Sequence, residues 1–213
     1  MVKLRNTFHA AFHGHPVAIV GLLGVIFFIL LAIFGPLFAP QNPYDQAKLD
    51  ILDGLLPPMS KLGDGTISFM GTDALGRDIL SGVIYGLRIS LFVAFTAVFF
   101  GSIIGVFLGL IAAVKRGWME TVIMRAVDLK ISFPGVLLAL MLLAIFGSGV
   151  DKVIYALIIG TWASKARLVR AVALSEMKKE YMDFARIAGL SQIHIITRFL
   201  LPNSISPVLV VLP

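Results

Sequence analysis

Three histidines near the amino terminus, His9, His13 and His15, are the first side chains whose type and spacing could do chemistry. His9 and His13 stand one helical turn apart, where two imidazoles could share a metal ion, but no acid or cysteine lies near them and the stretch reads as an ordinary cytosolic segment. Asp73 and Asp78 could serve as a general acid and base. They share a helix face only if their segment is helical, so turn or cap duty is expected instead. Ser81, Ser90 and Ser164 have no histidine nearby to act as base, which leaves an intramembrane hydrolase without a catalytic constellation. The chain has no cysteine, excluding disulfides, thiolate zinc sites and cysteine nucleophiles. The dipeptide Gly-Lys is also absent, so the chain lacks the Gly-x4-Gly-Lys-Ser/Thr loop that cradles phosphates. Any nucleotide that drives it is bound by another chain.

The stretch EYMDFARIAGLSQIHIITRFLLP, residues 180–202, carries the remaining chemistry, which is recognition. Met177, Tyr181, Phe184, Ala185 and Ala188 recur at three and four residues from Ser175 to Ala188, with Lys178, Lys179, Asp183 and Arg186 between them. This is the pattern of a helix with one apolar stripe. Gly189 suits a left-handed cap, and Ser191 suits the start of a second helix with Ile193, Ile196, Phe199 and Leu200 on its apolar side. Pro202 is expected to end that helix and Asn203 to turn the chain back. Such a hairpin either lies on lipid headgroups or inserts into a soluble partner.

The elements around it are lipid-soluble. Of 213 residues 58% are hydrophobic and 14% charged, and the mean hydropathy is +0.95. That composition places the chain in a membrane. A helix needs ~20 apolar residues to cross a core of ~30 Å, and four segments qualify or nearly so: Val17 to Phe38, Ile89 to Val114, Ile131 to Phe146, and Val153 to about Leu174. Pro134 is expected to kink or start the third, and Lys165, Arg167 and Arg170 in the fourth must face protein or an aqueous cavity. A fifth run, Ile205 to Pro213, falls short of a span. The first run is too long for a signal-peptide core and reads as a retained anchor. Gly101, Gly105 and Gly109, four apart, form a seam for close helix packing.

Thirteen of the 18 Lys and Arg residues fall in the amino-terminal segment, the stretch after the second span, and residues 165–198. The positive-inside rule makes those regions, the amino terminus included, cytoplasmic. The loop from Gln41 to Leu87 holds six aspartates against Lys48, Lys61 and Arg77, and is assigned to the outside as a small subdomain. The expected organisation is a cytosolic segment 1–16, a first transmembrane helix 17–38, an extracytoplasmic loop 39–87, and a helical core 88–213 containing the hairpin 175–203. The net charge of +6 reflects membrane orientation, with no aromatic-basic surface for nucleic acid.

The order Asp183-Phe184-Ala185, three residues, Gly189, nine residues, Phe199, one residue, Leu201-Pro202 resembles the EAA loop of permeases in ATP-binding-cassette importers. Asp183 stands for the usual Glu, Phe184 for the first Ala and Phe199 for the usual Ile. GTDALGRDILS, residues 71–81, and YGLRISL, residues 85–91, are similar to signatures of the peptide and nickel permeases. Met124-Arg125 with Asp128 and Pro134, and Trp162 with Ala166-Arg167 and Arg170, are similar to the same group, in particular to the second-type subunit of dipeptide or oligopeptide importers. The resemblance implies an all-α, polytopic membrane bundle of the type I importer kind, in the cytoplasmic membrane of a bacterium or archaeon. It implies a non-catalytic subunit partnered by a second homologous permease, two cytosolic subunits that bind ATP and Mg, and an extracytoplasmic solute-binding protein. Tyr181, Asp183, Phe184, Ala185, Arg186, Gly189 and Leu190 would dock the ATPase. Relatives carry six spans, so two are expected to be missing beyond Pro213, as a fragment or a truncated product. The alternatives are a nickel cargo, or a passive channel or scaffold whose hairpin rests on lipid.

Overall fold

The computed structural model describes residues 16–45 and 49–210, so His9, His13 and His15 lie outside the described residues. The chain forms two compact units, residues 1–92 and 93–213.

In the first unit, helix α1, Pro16–Phe38, opens on a proline whose missing N–H is not needed in the first turn. The segment after it is held by backbone and side-chain hydrogen bonds more than by apolar burial. A 3-10 turn, Ile51–Asp53, is capped by Asp50, which accepts from the Leu52 N–H at 2.9 Å. Strands β1, Ser60–Lys61, and β2, Ile67–Ser68, pair antiparallel with Ser60 opposite Ser68. Asp73 accepts from the N–H groups of Leu75 and Arg77 and from Arg77 Nε, at 2.9, 3.0 and 2.8 Å. Partial burial alone would raise the Asp73 carboxyl, but those bonds and the Arg77 charge outweigh it and hold the group below its ordinary value. Asp78 is fully buried, its Oδ2 accepting from Ser81 N and Oγ at 2.7 and 2.6 Å, and its own N–H donates to Gln41 Oε1 at 2.9 Å. Both aspartates are therefore turn and cap residues.

Asp78 also sets where helix α2 begins. This helix, Ile79–Lys115, starts ten residues before the expected Ile89, because the Asp78 carboxylate satisfies the first turn's otherwise unpaired N–H of Ser81.

In the second unit α2 is followed by α3, Gly117–Ser132, and α4, Gly135–Phe146. Pro134 caps α4, and the axis bends by 92° between α3 and α4. The expected span Ile131 to Phe146 is thus a broken pair: Pro134 cannot continue a helix and drives Phe133 into extended conformation. Helix α5, Val150–Glu176, covers the expected fourth span but is too charged to qualify as one. Among the described residues α1 and α2 are long and apolar enough to cross a membrane, and the bent pair makes a third if counted as one span. Two of its charges pair across to α3: Arg170 Nε donates to Glu120 Oε1 at 2.7 Å and Arg167 pairs with Asp128 at 2.5 Å.

The glycine seam packs α2 on α5. A Cβ at Gly105 would lie 2.7 Å from both Lys165 Cβ and the Trp162 carbonyl oxygen, and one at Gly109 would lie 2.6 Å from the Ala166 carbonyl oxygen. At Gly101 it would collide with Thr161 Oγ1. Only glycine lets the two backbones approach this closely.

After α5 come α6, Glu180–Ile187, and α7, Gln192–Ile195. A π-helical turn, Ile196–Leu200, then leads into α8, Leu201–Val210. The expectation that Pro202 ends the helix is corrected here. The wider π turn, with Leu201 N–H donating to the Ile196 carbonyl, shifts the register ahead of the proline and relieves the clash that would stop an α-helix, so the chain continues helical through Asn203.

Candidate functional site

The hairpin is two-faced, and its inner face is part of the core. Met182, Ala185, Ile195 and Leu200 are buried together with Leu110 and Ala113 of α2, Val169 and Ala173 of α5, and Val208 of α8. Met182 and Leu200 are the largest fully buried side chains in the protein's described residues. Each such side chain stabilises its seat by roughly 1.5–3 kcal/mol relative to exposure. The hairpin is therefore anchored to three helices.

A polar strap reinforces the seat. Tyr181 Oη donates to Glu176 Oε2 at 2.5 Å and accepts from Asn203 Nδ2 at 3.2 Å, while Asn203 Nδ2 also reaches the Phe199 carbonyl at 2.9 Å. Lys179 Nζ holds the other Glu176 oxygen at 2.6 Å, and the rings of Tyr181 and Phe199 stand 6.2 Å apart. Burial, then the bond to Glu176, pushes the Tyr181 phenol up, and the bond to Glu176 pushes the Lys179 ammonium up. Tyr181 thus stays a neutral donor and Lys179 a cation at physiological pH. Replacing Tyr181 by Phe should loosen α6 by about 1–2 kcal/mol, read as roughly five- to thirtyfold faster amide exchange over residues 180–187 with α5 unaffected.

The outer face is apolar and open. Phe184 is 69% exposed, Ile187 82%, Ile193 75% and Leu190 37%. Asp183 and Arg186 flank them, exposed and bonded to each other at 2.9 Å. Gly189 takes φ +75°, the left-handed cap that turns α6 towards α7, and Ser191 Oγ accepts from the His194 N–H at 3.3 Å to cap α7.

Of the seven residues expected to dock a partner, Asp183, Phe184, Arg186, Gly189 and Leu190 are exposed on this face. Ala185 and Tyr181 are not. Ala185 is buried against the core and Tyr181 turns inward into the strap, so both position the hairpin from beneath. The expected single stripe divides into two, because Met182 and Ala185 point inward while Phe184 and Ile187 point outward. Ile187 is an outer-face residue that the sequence reading passed over, and Ile193, read as part of the second apolar stripe, joins it there. The signal was present in their i, i+3 relation to Phe184 and Leu190. Met182 and the Asn203 link were also passed over, the latter joining residues 22 apart that no local pattern connects.

Apolar spanning helices with a hairpin locked into their bundle define an integral membrane protein of the helical class. Residues 105–213 match the family described as binding-protein-dependent transport system inner membrane component, and residues 6–58 match the N-terminal transmembrane domain of oligopeptide transport permease C. The chain belongs to this family of inner-membrane transport components. It is 37% identical over 192 residues to the di/tripeptide transport system permease protein DppC of Pseudomonas aeruginosa, a match covering 89% of this chain and 63% of the relative. It is 32% identical to the dipeptide transport system permease protein DppC of Haemophilus influenzae, covering 91% and 64%. To the glutathione transport system permease protein GsiD of Escherichia coli it is 36% identical, covering 96% and 65%. The chain thus spans a little under two thirds of the length of these relatives.

Proposed function

We propose that this chain is the permease subunit of an ATP-driven importer of small peptides, and that its hairpin is where the force of ATP hydrolysis enters. The observation that carries this reading is the combination of an exposed apolar face, Phe184, Ile187, Leu190 and Ile193, with an opposite face buried among α2, α5 and α8. A partner that grips the outer face moves the helices beneath it. Two cytosolic ATP-binding subunits would hold such hairpins, one on this chain and one on a second homologous permease, and would carry the ATP and Mg; this chain would do no catalysis. An extracytoplasmic solute-binding protein would deliver the cargo.

The basic residues concentrated around α3 and the hairpin favour a cytosolic hairpin and amino terminus, and the aspartate-rich loop favours an outer position. The relatives are named for dipeptide, di/tripeptide and glutathione transport, which favours a small peptide over nickel. Coupling requires that the hairpin make different contacts with its partner in the inward- and outward-facing states, since a ligand shifts an equilibrium only by its differential affinity. The test is copurification of the ATP-binding subunits with this chain, native or carrying Phe184→Glu and Ile187→Glu. Retention of the ATPase by the double variant would count against the reading.

A further inference from the structure

Charge along the α3–α5 interface is matched at two levels and unmatched at the next. Arg170 meets Glu120 and Arg167 meets Asp128. Further along, Lys130 donates to the Gly160 carbonyl, and Lys165, only 8% exposed, has no acidic partner among the described residues. Gly160 and Lys165 lie five residues apart on α5, so both lysines meet the same stretch of that helix. Their depth follows from the glycine seam. Lys165 stands level with Gly105, where a Cβ would touch its own Cβ at 2.7 Å, and Gly105 lies ten residues, ~15 Å, from the Lys115 end of α2. With the basic Lys115 end of α2 at the cytoplasmic boundary, as the charge pattern favours, that is about half of a hydrocarbon core of ~30 Å. A cation pair at this depth, without a counter-charge, is costly, and such residues mark ion or substrate paths.

We propose that Lys130 and Lys165 form a carboxylate-binding site that takes the C-terminal carboxylate of the transported peptide. The proposal rests on the importer reading. Every linear small peptide with a free C-terminus presents this carboxylate whatever its side chains, so a pair of ammonium donors recognises the class without reading the sequence. A fixed acid of a neighbouring subunit has the same chemistry. Among the described residues acids neutralise Arg167 and Arg170 and none stands here, so the counter-charge is assigned to the cargo.

The experiment is ATP-dependent uptake of dialanine and of dialanine amide by the complete transporter in proteoliposomes. The variants are Lys165→Met, which keeps the side chain's length against Gly105 and removes its charge, and Lys130→Met, whose half-buried site reads the same ratio if the first does not assemble. The solute-binding protein is common to all samples, so its own preference cancels. Each variant is expected to lower the ratio of acid to amide uptake relative to native, by roughly tenfold for Lys165→Met. An unchanged ratio with ATP-driven uptake intact overturns the site alone, and equal loss of both substrates assigns the counter-charge to a neighbouring subunit and overturns it too. Absence of ATP-driven uptake in the native assembly overturns the importer reading and this site with it.

Discussion

Leucine at Gly105 is expected to abolish the close packing of α2 on α5 and with it most of the monodisperse protein recoverable from membranes. Even its Cβ would lie 2.7 Å from the Trp162 carbonyl oxygen and 3.2 Å from the Ala166 nitrogen. These are backbone atoms of a helix, which no rotamer change can move aside. The cost is that of overpacking, about 3 kcal/mol or more, because α5 must shift as a body. That shift would propagate to Val169 and Ala173, which hold Met182 and therefore the hairpin. Gly24→Ala is the control, since a Cβ there meets nothing within 4 Å. The measurement is the thermal transition and the monodisperse fraction of the purified chain. Gly105→Leu should lose both, and Gly24→Ala should match native.

Phe184→Glu with Ile187→Glu should leave the fold intact and remove the partner. Both side chains are exposed, at 69% and 82%, so neither substitution disturbs the seat formed by Met182 and Ala185. Burying a phenylalanine and an isoleucine against a partner is worth roughly 1.5–3 kcal/mol each, and burying two carboxylates in their place carries a further penalty. A loss of at least about 3 kcal/mol of binding follows, about a hundredfold in affinity. The double variant should melt like native yet copurify without ATPase and drive no uptake.

How much of this was legible in the sequence depends on whether the cause is local. Gly189 and Ser191 could be read as caps because a positive φ and a side chain bonding the third N–H along are decided within a few residues. The glycine seam was legible as a seam, since spacing by four places Gly101, Gly105 and Gly109 on one face. Its partner helix was not, because nothing in α2 names α5. The start of α2 was missed because it depends on Asp78 meeting Ser81 and, across a gap of 37 residues, Gln41.

Which side of the hairpin faces the core was also hidden. In an eight-residue helix with apolar side chains on both faces, periodicity finds the stripes and does not choose between them. Met182 and Ala185 face inward against Val169 and Ala173, while Phe184 and Ile187 are left outside. The rule that proline stops a helix failed at Pro202 because a π turn preceded it, a register that propensity does not encode. The charged end of α5 was expected to face protein or an aqueous cavity, and Arg170 and Arg167 pair with Glu120 and Asp128 of α3.

The central claim is that the hairpin is held by a soluble partner and not by lipid. A photo-crosslinking amino acid at Ile187, in the complete transporter under turnover with ATP, tests it most directly. The account predicts adducts to the ATP-binding subunit. Adducts to phospholipid alone, with ATP-driven uptake proceeding, would contradict it.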